Sequence, residues 1–264
     1  MIKLIATDVD GTLVKDSSPS VYPEIFDVIR ELRKKDVIIA IASGRQYYSI
    51  ANMFQPVADD LIFIAENGAH IRCRGTDMMV VPMNPADAKE IIHDIRSLPD
   101  CDMVVSTQDG CLLESKNAAF IDLIENSYHN KAILVEDCLA GSPEIIKVAA
   151  FRKNSIRETG ENILIPKWKD RCKACMAGEE WVDFMDASVD KGKAIKTLQD
   201  FFHILPEETM VFGDNANDIG MFAAAVESYA VESAREEVKQ HAKHICRPYD
   251  EMGVYQVLKQ LVNE

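Results

Sequence analysis

Three short apolar runs near the N-terminus, Leu4 to Ala6, Val37 to Ala42 and Leu61 to Ala65, each stop abruptly in polar or glycine-containing residues. The first leads into Thr7-Asp8-Val9-Asp10-Gly11-Thr12, the second into Ser43-Gly44-Arg45 and the third into Glu66-Asn67-Gly68. Runs this short and continuous read as strands buried on both faces. Between the first two, Ile25, Phe26, Ile29 and Leu32 recur at helical spacing and Arg33-Lys34-Lys35 suits a helix C-terminus. A second helical stretch opens near Gln46. Repeated strand-loop-helix units predict an α/β fold with a parallel sheet flanked by helices.

The rhythm stops after a loosely alternating, hairpin-like stretch from Ala69 to Val81. The pattern then predicts a helix over 86–97, strands over 102–106 and 110–114, a helix over 117–129, and a strand over 145–150. A polar helix-or-loop stretch runs to 171, and strands are expected over 173–177 and 180–185. From Lys191 the first rhythm resumes: a helix to Phe202, then the strand Thr209-Met210-Val211-Phe212 ending in Gly213-Asp214-Asn215-Ala216-Asn217-Asp218. A helix through Met221 to Ala225, a strand from Ser228 to Val231, a helix from Ala234 and an amphipathic closing helix from Gly253 complete the pattern. The expected organisation is a discontinuous core, 1–82 and 186–264, interrupted by an α+β domain over 83–185. The ten positions 11–20 leave no room for a large insertion after the first motif, so 83–185 is the expected lid. Residues 82–85 and 186–190 are its natural hinges.

In a parallel α/β sheet, ligands bind beyond the carboxyl ends of the strands. Asp8 and Asp10, Ser43 and Gly44, and Asp214, Asn217 and Asp218 all stand at such ends, while Lys191 opens a helix where the chain returns to the core. Any one of these clusters alone serves well as a turn or cap. Four carboxylates in one crevice repel one another unless a cation neutralises them, and hard oxygen donors suit Mg²⁺ better than zinc. With that cation, Lys191, the Ser43 hydroxyl and the Gly44 N–H would make an acidic crevice into a phosphate site. Two Asp at i and i+2 permit one carboxylate to attack while the other transfers protons.

Asp8-Val9-Asp10-Gly11-Thr12-Leu13, Ser43-Gly44-Arg45, Lys191-Gly192-Lys193-Ala194 and Gly213-Asp214-Asn215-Ala216-Asn217-Asp218, in that order, resemble the four motifs of the haloacid dehalogenase superfamily. More closely, the chain resembles the Cof-type phosphatases, which have a Rossmann-like parallel-sheet core and an inserted α+β type IIB cap. The Asn67-Gly68 turn and the late Gly253-Val254 add to the likeness. The resemblance implies a Mg²⁺-dependent phosphatase acting on small phosphorylated metabolites such as sugar phosphates. It implies that Asp8 is the nucleophile, that Asp10 protonates the leaving oxygen and then activates water, and that Thr12 orients Asp10. Ser43, Gly44, Lys191 and Asn217, with the backbone of Val9, would hold the phosphoryl oxygens. Mg²⁺ would lie on the Asp8 carboxylate, the Asp10 carbonyl and Asp214, with Asp218 just outside them. Ser43 stands where Thr is common in that family, and the hydroxyl is kept.

Other readings of the same core are a phosphomutase or phosphotransferase, a phosphatase of pyridoxal phosphate or flavin mononucleotide, and a non-catalytic binder of phosphorylated ligands. Twenty-nine basic against 43 acidic residues give a net charge of −14, which argues against nucleic acid or anionic membranes as partners. No apolar run approaches the roughly 18 residues of a membrane span and no signal segment opens the chain, so a cytoplasmic location is expected. Seven scattered cysteines read as reduced thiols, and Cys172-Lys173-Ala174-Cys175 lacks a second pair at zinc-ribbon spacing. His241 and His244 read as surface or packing residues, and the aromatics Trp168, Trp181, Phe184 and Tyr128 as core. Lys191-Gly192-Lys193 is no Walker loop, since Ala187 and Ala194 occupy its first Gly and its Ser/Thr positions.

Overall fold

The computed structural model describes residues 1–263. Its first apolar run is β1 (Leu4–Thr7), followed by α1 (Glu24–Lys34), β2 (Ile38–Ala42), α2 (Tyr47–Met53), β3 (Leu61–Ala65), β4 (His70–Cys73) and β5 (Thr76–Val80). Helix α1 buries Ile25, Val28, Ile29 and Leu32 on one face, with Glu24 and Asp27 in its first turn and Arg33 and Lys34 in its last. That charge order matches the helix dipole at both ends. Gln46 begins α2 by accepting a hydrogen bond on its side chain from the Tyr48 N–H.

The chain then builds α3 (Pro85–Arg96), β6 (Asp102–Thr107), β7 (Gly110–Leu113), α4 (Ala118–Asp122), β8 (Ala132–Leu134), β9 (Lys147–Phe151), α5 (Arg157–Thr159), α6 (Ile165–Trp168), β10 (Lys173–Met176) and β11 (Trp181–Met185). It closes with α7 (Lys191–Phe202), β12 (Thr209–Gly213), α8 (Ile219–Ala224), β13 (Glu227–Val231), α9 (Glu236–Lys239), β14 (His244–Cys246) and α10 (Gly253–Asn263). Two compact units result, Met1–Met79 with the chain from Asp190 onward, and Val80–Val189.

In the first unit eight strands lie in the order β14-β13-β12-β1-β2-β3-β4-β5, parallel from β14 to β3 and antiparallel between β3 and β4. Strand β1 is flanked by β2 on one side and by β12 on the other, so the order reverses there. In a doubly wound sheet that reversal opens the crevice at the carboxyl ends of the two strands. β1 and β3 are buried at every position and β2 at all but its first, which accounts for their unbroken apolar sequences.

The second unit is a six-stranded sheet in the order β10-β11-β9-β6-β7-β8, antiparallel except for the β7/β8 pair. Alternate residues of its strands supply two separate cores, as period-two alternation requires. Met103, Val105, Val148, Ala150, Val182 and Phe184 pack with Ile91, Ile95 and Trp168, while Val104, Ala149 and Phe151 pack with Phe120 and Ile124.

The expected helix over 117–129 is regular only to Asp122 and then widens into a π-helical segment, Leu123–Ser127. Strands β8 and β14 had no expectation, because three residues carry no period. Of β14 only Cys246 is buried. The helix expected from Ala234 shrinks to the four residues of α9.

The first turn of α7 meets α8 at two glycines: a side chain on Gly192 would run into the backbone carbonyl of Gly220. Gly192→Ala should therefore cost about 1–3 kcal/mol of stability through overpacking. A lowered urea midpoint with an unchanged slope would register it.

Candidate active site

Asp8 and Asp10 follow β1, Ser43 and Gly44 follow β2, and Asp214, Asn217 and Asp218 follow β12, so neighbouring carboxyl ends of the sheet carry them. The Asp8 N–H donates to the Phe212 carbonyl at 3.0 Å, which pins the end of β1 to the end of β12. Lys191 arrives from the N-terminus of α7, behind an Asp190 side chain that caps the helix by accepting from the Lys193 N–H.

The Lys191 ammonium donates to Asp8 Oδ1 at 2.5 Å and to Asp218 Oδ1 at 2.7 Å, and the Lys191 and Asp218 side chains are wholly buried. Burial acts to lower the pKa of Lys191, but the Asp218 and Asp8 carboxylates overcome it and hold the ammonium above its ordinary range. Asp8 shifts the other way: burial raises its pKa well above the usual carboxylate value, Lys191 opposes the rise, and repulsion from Asp218 and Asp214 adds to it. Asp214 is pushed up to about 6, first by burial and then by Asp218. One lysine among three carboxylates leaves the cluster short of positive charge.

Asp8, Asp214 and Asp218 bring carboxylate oxygens within 4.8 Å of one another, all hard donors and so a chemical fit to a divalent cation. Asp218 is already committed: Oδ1 takes Lys191, and Oδ2 accepts the N–H groups of Asp214 at 2.9 Å and Asn215 at 3.0 Å. Its work is to shape the loop that presents Asp214. Gly11 has φ of +84°, and a side chain there would collide with the Asp214 carboxylate, so the turn after Asp10 accepts only glycine without strain.

Thr12 differs from expectation. Its hydroxyl donates to Asp214 Oδ1 at 2.8 Å and not to Asp10, because the turn at Gly11 carries it across to the β12 loop. The Asp10 carboxylate stands outside the three-carboxylate group and is gripped by Arg45, with Nε to Oδ2 at 2.8 Å and Nη2 to Oδ1 at 2.5 Å. Ser43 is buried, and its Oγ accepts from the Arg45 N–H at 3.1 Å, which leaves the hydroxyl proton to donate elsewhere. The Asn217 amide donates to Asn67 Oδ1 at 2.9 Å, while its own Oδ1 is buried without a hydrogen-bond partner. Val9 is buried, and its carbonyl accepts the N–H groups of Leu13 and Val14, closing the loop beyond Asp8.

Residue reasoning assigned no role to Asn67 or Arg45. Asn67 sits in a buried turn where both it and Glu66 take left-handed φ, 57° and 50°. The available signal was positional: Glu66-Asn67-Gly68 follows β3 as Ser43-Gly44-Arg45 follows β2. Cys172 and Cys175 are free thiols raised to about 11 by burial, and among the described residues neither joins a cluster of metal-binding groups. His244 pairs with Glu227 at 2.9 Å, a packing role. Among the described residues, no helix is long and apolar enough to cross a membrane.

Residues 5–258 match the family model of haloacid dehalogenase-like hydrolases. The chain is 23% identical over 261 residues to the 5-amino-6-(5-phospho-D-ribitylamino)uracil phosphatase YbjI of Escherichia coli (strain K12), spanning 99% of this chain and 96% of that protein. A crystallised protein of Eubacterium rectale is 39% identical, with a TM-score of 0.88 over 98% of this chain and 99% of the other. The fold is also that of the subclass IIB sugar phosphatase BT4131, with a TM-score of 0.79 at 23% identity over 98% of each chain.

Replacing Lys191 strands two buried carboxylates, so Lys191→Met should lose about 3–5 kcal/mol of stability. Adding Asp218→Asn should recover part of it, and simple additivity in that double-mutant cycle would contradict a shared ion pair. The raised pKa of Asp214 makes a second prediction. A folded-state pKa above the unfolded one gives stability that is complete at low pH and is lost as pH rises through about 6. In chelator, Asp214→Asn should therefore gain in melting temperature relative to the parent between pH 5 and pH 8. An unchanged difference would count against the shift.

Proposed function

The chain belongs to the haloacid dehalogenase-like hydrolases, and we propose that within this family it is a Mg²⁺-dependent phosphatase of small phosphorylated metabolites, sugar phosphates foremost, working through an aspartyl phosphate. The observation that carries this reading is the Lys191 ammonium held between Asp8 and Asp218 at the reversal of strand order, with Asp214 beside them. A carboxylate at that point, next to fixed positive charge and hydroxyl and amide donors, suits transfer of a phosphoryl group.

In this reading Asp8 attacks phosphorus with the oxygen that Lys191 leaves uncommitted. Ser43 Oγ–H, the Gly44 N–H, the Val9 N–H, Lys191 and the second amide proton of Asn217 surround the phosphoryl oxygens. Asp10 gives its proton to the departing oxygen, then takes one from the water that attacks the aspartyl phosphate. Thr12, through its bond to Asp214, holds that carboxylate in place. Asp8, Asp214 and the Asp10 carbonyl would hold Mg²⁺, which supplies positive charge against the carboxylates and the phosphoryl oxygens. Asp218 fixes the Asp214 loop and orients Lys191.

Choice of leaving group is assigned to the inserted unit, Val80–Val189. The phosphorylated ribityl substrate in the name of the Escherichia coli relative and the sugar phosphatase fold of BT4131 support a polyol or sugar ester.

Phosphate release from a panel of sugar phosphates, pyridoxal phosphate, flavin mononucleotide and an aryl phosphate, with Mg²⁺ or chelator, tests the reading. Turnover should require Mg²⁺ and fall at least about a thousandfold in Asp8→Asn, since a lost nucleophile cannot be compensated by binding. Turnover that survives Asp8→Asn would end the covalent mechanism. Labelled phosphate passing to a second sugar with little free phosphate would mark a phosphotransferase instead.

A further inference from the structure

Arg45 belongs to the Ser43-Gly44-Arg45 segment, yet its side chain has no part in binding the phosphoryl group or in its transfer to Asp8. That side chain is 15% exposed and held on several sides. Nε and Nη2 bind the two oxygens of Asp10, Nη2 also donates to the Ser18 carbonyl at 2.9 Å, and Nη1 lies 3.2 Å from the Met53 sulfur. Asp10 Oδ1 takes one further bond, from the Ser17 N–H at 3.0 Å.

Asp10 lies beyond the end of β1, in a loop whose ladder contact, among the described residues, is an isolated bridge to Val14. Sheet geometry therefore does not set its side chain. Two parallel bonds from a planar guanidinium fix the plane of a carboxyl group as well as its position, which a lysine ammonium cannot do.

We propose that Arg45 is a positioning residue for Asp10, fixing the orientation in which its carboxyl exchanges a proton first with the leaving oxygen and then with water. This rests on the proton-transfer role given to Asp10 above. In the first step the Asp8–phosphorus bond forms, the bond from phosphorus to the leaving oxygen breaks, and the Asp10 proton goes to that oxygen. In the second, water's oxygen bonds phosphorus, the Asp8–phosphorus bond breaks, and water's proton goes to Asp10. Arg45 keeps its own protons throughout.

The test compares an alkyl ester, whose alkoxide needs a proton to leave, with p-nitrophenyl phosphate, whose phenolate does not. The readout is kcat/KM, which reports the first transfer to Asp8, for the parent, Arg45→Ala, Arg45→Lys and Asp10→Asn. Arg45→Ala should lower the alkyl value about a hundredfold, the scale of a misplaced catalytic group, with little loss on the aryl ester. Arg45→Lys should fall between, and added guanidinium ion should restore part of the alkyl activity of Arg45→Ala. Equal losses on both esters, or Lys and Ala variants that behave alike, would overturn the proposal in favour of a structural role. Should Arg45→Ala fail to fold, Arg45→Lys and Arg45→Gln give the same ratio. Asp10→Asn separates the two ideas: if it treats the esters alike, the role of Asp10 itself is wrong; if it discriminates and the Arg45 variants do not, only the Arg45 proposal falls.

Discussion

A lysine ammonium with no exposed surface, shared between two carboxylates, is the constraint around which this molecule is organised. Burying such a charge is expensive unless it is paired and hydrogen-bonded. The pairing ties together the end of β1, the loop after β12 and the start of α7. Each is thereby fixed in relation to the other two, and the close approach of α7 to α8 at Gly192 and Gly220 becomes a requirement. The ammonium also cannot neutralise everything near it. Asp8 and Asp214 stay strained toward protonation, so the folded protein itself carries an unmet demand for positive charge.

The sheet order turns that demand into a site. Because β1 lies between β2 and β12, the loops after all three open in the same direction. The Asp8 N–H bond to Phe212 and the Asn217 bond to Asn67 draw these loops together across long stretches of chain. Asp218 illustrates the economy of the arrangement, since one carboxylate orients the lysine with one oxygen and shapes the Asp214 loop with the other.

Strands β1, β2, β3 and β12 were legible because full burial writes a continuous apolar run, and the site loops were legible because each run ends in residues unsuited to a core. Which side chains meet was less legible. Thr12 finds Asp214 across 202 positions and Asn217 finds Asn67 across 150, and nothing in local spacing encodes such pairs. Arg45 stands in the short segment after β2, but its grip on Asp10 depends on where two different loops stop. Strands β8 and β14 escaped for another reason: three residues borrowing their order from a neighbour need no pattern of their own. The widening after Asp122 was equally invisible, since it keeps Phe120 and Ile124 buried together as a regular helix would.

The pairing of β1 with β12 also governs how the chain comes into being. Leu4 must wait for Thr209 before the second edge of β1 is closed. At ribosomal speeds of about 5–20 residues per second, that edge stands open for roughly 10–40 s while the chain between them, the inserted unit included, is made. The unit made in that interval has a sheet and cores of its own, so it can mature while the first waits. An uncovered apolar strand invites pairing with other nascent chains. The crevice at the carboxyl ends of β1 and β12, needing Lys191 and Asp214, is among the last features of the protein to exist, and a chain truncated before β12 would lack both the complete carboxylate cluster and the means to hide its first strand.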